Sequence, residues 1–124
     1  MSTTHTTSRP RVLSAATLKG DPVKNRQNED LGKIEDFMLD LASGRIAYCV
    51  LSFGGVLGLG NKLFAVPWSA FALDTERHCF ILNASKDRLK SAPGFDKSNW
   101  PDMADPDWIA SVSGFYRSDS RGGA

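Results

Sequence analysis

The stretch Leu31 to Phe53 constrains the fold more than any other part of the chain. From Phe37 to Leu41 apolar side chains recur with period two, Phe37, Leu39 and Leu41, with Asp36 and Asp40 beside them. That is the pattern of a strand with one face toward a core. Ile34 is apolar but out of phase with this series. A one-residue slip of this kind predicts a β-bulge, which bends a strand. Ser43-Gly44 supplies turn chemistry, and "RIAYCVLSF" follows, a long run of β-forming residues. The two runs predict a hairpin, Leu31–Leu41 with Arg45–Phe53. Its second strand is apolar at nearly every position, so both faces require cover, from this chain or from an oligomer partner.

Further short strands are predicted around it. "RVLSA" (Arg11 to Ala15) reads as a first strand, and Val23 to Asn25 as a brief extended piece within a turn-rich passage. "LFAVPW" and "FALD" are two strands interrupted at Pro67, and "HCFILN" follows a turn at Thr75 to Arg77. Four to six short strands joined by tight turns predict a mainly β fold, a small barrel. After Asn83 the character changes. Ser85 caps a helical turn, "KDRLKSA", which Pro93-Gly94 ends. Asp105-Pro106 places a cap residue before a first-turn proline. "DWIASVSGFY" then puts Trp108, Val112 and Phe115, and Ile109, Val112 and Tyr116, at helical spacing on one broad apolar face. The chain therefore divides into a disordered tail (residues 1–11), a barrel core (12–83), a short helical extension packing on it (84–117) and a second disordered tail (118–124).

The totals narrow the function. The 124 residues suit one domain, and a formal net charge of +1 gives no large field to attract nucleic acid or an anionic membrane. Five basic residues among the first 29 (Arg9, Arg11, Lys19, Lys24, Arg26) face only Asp21 and Glu29, which reads as a solvated surface. The longest uncharged run, Ile46 to Asn61, is short of the ~20 residues that span a bilayer. The opening MSTTHTTSRPR lacks the apolar region of a secretory signal. The expected location is the cytoplasm, with Cys49 and Cys79 reduced and buried.

"FGGVLGLGNKLFAVPW", Phe53 to Trp68, invites a phosphate-binding reading. A phosphate loop needs lysine directly after its last glycine, then Ser or Thr, then a helix. Here Asn61 follows Gly60, Leu63 follows Lys62, and a strand run follows both. The dinucleotide fingerprint fits Gly58 and Gly60 and fails at Leu63. The glycines read instead as a strand connection that uses positive φ angles. His5 and His78 have no neighbouring nucleophile in a catalytic motif, and the spacing of His and Cys matches no metal site. Asp36 and Asp40 read as strand and turn surface, and Asp102, Asp105 and Asp107 lack the glycine and terminal glutamate of a calcium loop. No catalytic, metal or cofactor residue is assigned. What is left is aromatic. Trp100 in an irregular segment and Trp108, Phe115 and Tyr116 on the last helix form a candidate interaction surface.

The run "EDLGKIEDFMLDLASGRIAYCVLSFGGVLGLGNKLFAVPWSAF" resembles the core of the PRC-barrel domain. The matching elements are Leu31 to Asp36, Leu39-Asp40 with the Ser43-Gly44 turn, Phe53-Gly54-Gly55 and Ala65-Val66-Pro67-Trp68-Ser69, within a match from about Val12 to Asn83. This module occurs in the cytoplasmic part of the photosynthetic reaction-centre H subunit and at the C-terminus of a ribosome maturation factor. The resemblance implies a small antiparallel PRC-type β-barrel with a short C-terminal helical extension, in a stand-alone bacterial form. It also implies a non-enzymatic protein–protein interaction or assembly role, without a cofactor; with no transmembrane stretch here, the membrane anchoring of the reaction-centre subunit does not carry over. A homodimer is expected from the doubly apolar "IAYCVLSF" strand. The alternatives are an RNA- or ribosome-associated maturation factor, and a small-ligand carrier or enzyme using the barrel mouth.

Overall fold

The computed structural model describes residues 12–53 and 62–122, with side chains as far as Arg117. The expected tail at residues 1–11 and the glycine-rich stretch Gly54 to Asn61 lie outside the described residues. The elements run α1 (Ala15–Leu18), β1 (Pro22–Lys24), β2 (Asp30–Asp40), β3 (Arg45–Ser52), β4 (Lys62–Pro67), a 3-10 turn (Trp68–Ala70), β5 (Phe71–Asp74), β6 (Cys79–Leu82), α2 (Lys86–Lys90), β7 (Phe95–Asp96) and α3 (Pro106–Gly122).

The predicted hairpin is present as β2 and β3, paired antiparallel from Lys33↔Ser52 to Asp40↔Arg45. The register shifts between Ile34 and Asp36, where the apolar pattern changes phase, and again between Met38 and Leu39. Gly44 takes φ +75° in the turn, a conformation a side chain resists, and its N–H bonds the Asp40 carbonyl at 2.8 Å.

The seven strands form one sheet in the order β5-β6-β1-β2-β3-β4-β7. Its end strands β5 and β7 do not pair, so hydrogen bonds do not close the barrel. The sheet is nevertheless strongly curled. β4 and β5 stand far apart in that order, yet the three residues Trp68–Ala70 join them, and a 3-10 turn of that length advances only roughly 6 Å. One core fills the curl, with Val23, Leu31, Ile34, Cys49, Leu51, Phe64, Val66, Phe80 and Leu82 from five strands and Val112 and Tyr116 from α3. The pairing is not wholly antiparallel as expected, because β1 runs parallel to β6 (Val23↔Phe80).

Two other expectations are corrected. Val12 to Ala15, the described part of "RVLSA", form no strand: Ser14 caps α1 instead, its Oγ accepting from the Thr17 N–H at 3.1 Å. A cap that satisfies an orphan donor outweighs the weak β preference of so short a run. The segment from residue 118 is not a tail through its length, since α3 continues to Gly122. Extending a nucleated helix costs little per residue, and no proline or glycine interrupts Arg117 to Arg121. The cap assignments hold. Ser85 Oγ accepts from Arg88 N–H at 3.0 Å and Asp105 Oδ1 from Asp107 N–H at 3.0 Å.

Candidate interaction surface

β3 is buried on both faces because two different parts of the chain cover it. Cys49 and Leu51 point into the main core, while Val50 joins Leu63, Ala65 and Phe95 in a second cluster. That second cluster is closed by Met103 and Trp108, which follow the strands in sequence and lie over them in space. Trp108 meets Tyr48 edge-on, ring centroids 5.2 Å apart. Gly94 makes the approach possible. A Cβ there would stand 2.7 Å from the Phe64 ring and 3.0 Å from the Leu63 carbonyl oxygen. Only a residue without a side chain lets β7 lie this close to β4.

The four predicted surface residues separate into two places. Trp100 and Trp108 line one shallow groove with Lys62, Pro93, Phe95 and Pro101. Trp100 stands 39% exposed at its rim, tilted against Phe95 at 5.1 Å, and its Nε1–H donates to the Lys97 carbonyl at 2.7 Å. Phe115 and Tyr116 sit elsewhere on α3, packed against each other at 4.9 Å. Tyr116 is core, 3% exposed, and the Arg88 guanidinium covers Phe115 at 4.0 Å from its ring centroid. This cation–π contact ties α2 to α3.

The groove carries charge as well. Lys62 is half-buried, and among the described residues no carboxylate lies within ion-pair distance of it. Lys97 is engaged by Glu35 Oε2 at 3.5 Å.

The other candidate groups have local structural work. Asp36, Asp40 and Asp102 each accept a nearby backbone N–H, from Phe37, Ala42 and Ala104. His78 is exposed in the β5–β6 turn with φ +54°, one residue before the strand it was expected to open. Cys49 and Cys79 are free and buried, and burial pushes the Cys49 thiol up to about 12. A thiol held protonated is a poor nucleophile at neutral pH. Among the described residues no group of three or more His, Cys, Asp or Glu is arranged to hold a metal. After Lys62 the chain forms β4, with no helix there to receive a phosphate.

Sequence reasoning missed Phe95 and Lys62 as parts of the groove and Met103 as part of the cluster it borders, and it missed Asn25. That side chain is 2% exposed, accepts from the Gln27 and Glu29 N–H groups and donates to the Ala84 carbonyl at 3.1 Å. It fastens the β1–β2 turn to the chain after β6. The only local signal was an Asn-rich turn.

The family model for the PRC-barrel domain matches residues 10–89, well over half of the chain. The chain belongs to the PRC-barrel family. The match reaches past the expected core into α2 and ends at Leu89, so of the groove-lining residues of this PRC-barrel protein only Lys62 lies within the matched module. No curated protein matches the chain. Among solved structures, one described as a 16S ribosomal RNA processing protein, RimM, from Pseudomonas aeruginosa is similar at 14% identity and a TM-score of 0.46. The similarity covers 64% of this chain and 48% of that one. Among the described residues no helix is long and apolar enough to cross a membrane.

Proposed function

We propose that this PRC-barrel is a non-enzymatic interaction module that binds a protein partner in the cytoplasm through the Trp100–Trp108 groove. The observation that carries the reading is the state of Trp100. Its indole is 39% exposed, yet its N–H is fixed to the Lys97 carbonyl and its ring rests on Phe95. An exposed aromatic ring held in place loses little entropy on binding, and Trp is enriched among residues that dominate interface energy.

The partner in this reading is a different protein. One ground for a homodimer, beside the family resemblance, is the doubly apolar β3, and its outer face is already filled by Phe95, Met103 and Trp108 of the same chain. Self-association is not needed to bury it.

The test is affinity capture from the source cell on immobilised wild-type protein, Trp100→Ala and Leu41→Ser. Leu41, 89% exposed at the tip of the β2–β3 hairpin, serves as the control for a remote apolar site. The expected result is a partner set retained by wild type and Leu41→Ser and depleted about tenfold by Trp100→Ala. Equal capture by all three proteins removes the groove from the function.

A further inference from the structure

A cavity of about 60 Å³ opens between α1 and the β5–β6 turn, sharing no residue with the groove. Its floor belongs to the core, where Cys79 and Phe80 are buried. Its walls are the half-buried Leu18 and two leucines from distant parts of the chain, Leu13 at 41% and Leu73 at 36% exposure. Both of these leave apolar surface in water at the same mouth. One water needs roughly 10–15 Å³ of such space, so the cavity holds roughly four to six small groups, the size of a short alkyl chain.

The mouth carries charge of one sign. Asp21 and Asp74 stand among the lining residues and no lysine or arginine does, while the His78 imidazole beside them is exposed. The two carboxylates differ in what they hold. Asp74 is engaged from outside the cavity by Arg77, whose Nε–H donates to Oδ2 at 2.8 Å and whose backbone N–H donates to Oδ1 at 3.1 Å. The guanidinium hydrogen bond keeps that carboxyl below the ordinary range. Asp21 is half-buried, and among the described residues its carboxylate has no ion pair and no hydrogen bond. Its backbone is pinned on both sides, the N–H to the Leu18 carbonyl at 3.1 Å and the carbonyl by the Ile34 N–H at 3.0 Å. A cation arriving at Asp21 meets a partly desolvated charge that nothing else satisfies. The order of these features, apolar floor and charged rim, suits a molecule that enters tail first. A lysine side chain would lead with its charge and set it on Phe80.

We propose that this cavity binds a small free amine, its short alkyl chain seated on Leu18, Leu73 and Phe80 and its ammonium at the Asp21 carboxylate. The site is independent of the interaction reading above.

The test titrates the full chain with isopentylamine, with isopentanol and isovalerate as its neutral and anionic counterparts, and with lysine blocked at both backbone ends. Leucine methyl and backbone amide chemical shifts are followed. The amine is expected to shift Leu13, Leu18, Leu73 and Phe80 saturably, with a Kd on the order of a millimolar for so few atoms. It is expected to bind roughly two- to five-fold tighter than the alcohol, the range of one partly exposed ion pair. Asp21→Asn abolishes that preference and leaves the alcohol's affinity unchanged. Leu73→Trp fills the cavity and abolishes binding of both while the spectrum keeps its dispersion, which separates a filled site from a lost fold. Absence of a saturable shift at these residues overturns the proposal. So does a preference that survives Asp21→Asn, or tighter binding of isovalerate, which assigns the mouth to His78 and Arg77. Equal binding of blocked lysine overturns it as well, since the occupant is then a partner's side chain.

Discussion

The inner face of β3 and β4 is closed by the barrel's own strands with two residues of α3, and the outer face mainly by the segment that follows the strands. On the inner face Cys49, Leu51, Phe64 and Val66 meet side chains from β1, β2 and β6, within the residues 10–89 that match the family, and Val112 and Tyr116 of α3 beyond them. On the outer face Val50, Leu63 and Ala65 meet Phe95, Met103 and Trp108 beyond that match, with Met38 and Tyr48 from within it. Both faces are dry, since Val50 is as fully buried as Cys49. They differ in how the cover is held. The inner cover is a ladder of paired strands, whereas β7 contributes only two residues to the outer one. A sheet face shared in this way gives the fold its stability on one side and leaves the other to carry the groove.

Measurements can break or sharpen this contrast. The largest effect belongs to the inner face. Phe64→Ala empties a site 1% exposed and is expected to cost about 3–5 kcal/mol, read as a lower denaturation midpoint. A loss no larger than at the outer face contradicts the division. Gly94→Ala forces a Cβ against Phe64 and the Leu63 carbonyl, and is expected to cost about 1–3 kcal/mol by overpacking. Its hydrogen-exchange signature is lost protection in β7 before the β1–β2 ladder. Trp100→Ala removes one ring contact from a partly exposed side chain. About 1 kcal/mol or less of stability is expected to go, and a larger loss makes Trp100 a structural residue.

The last effect is absent at neutral pH. Burial raises the Cys49 thiol from its ordinary value near 9 to about 12. Above pH 9 the unfolded thiol ionises while the native one keeps its proton, so the native state binds more protons and stability falls as pH rises. The contribution is complete below pH 9 and is lost toward pH 12, by up to about 1.4 kcal/mol per pH unit. Cys49→Ala should flatten the fall in unfolding midpoint across that window. An unchanged slope places the thiol in contact with solvent.

Much of the barrel was legible because its signals are local. The phase slip at Ile34 gave the bulge, Ser43-Gly44 gave the hairpin turn, and Ser85 and Asp105 gave the helix starts. The site was legible only in part. Trp100 and Trp108 do share a groove, but Phe115 and Tyr116 carry the same residue type with a different fate, because α3 turns them toward Arg88 and the core. Helical spacing shows that side chains share a face and does not show what that face meets.

By itself the sequence determined the β2–β3 hairpin, its turn and the caps at Ser85 and Asp105, since each follows from the conformational preferences of a few neighbouring residues. It also showed that β3 must be covered on both sides. Tertiary structure alone decided what covers it. The segment 93–105 has no periodicity to mark it as a cover, and its fit depends on Gly94 standing against Phe64, a contact between residues 30 apart in the chain. The groove exists because that close approach sets Trp100 and Trp108 beside Lys62.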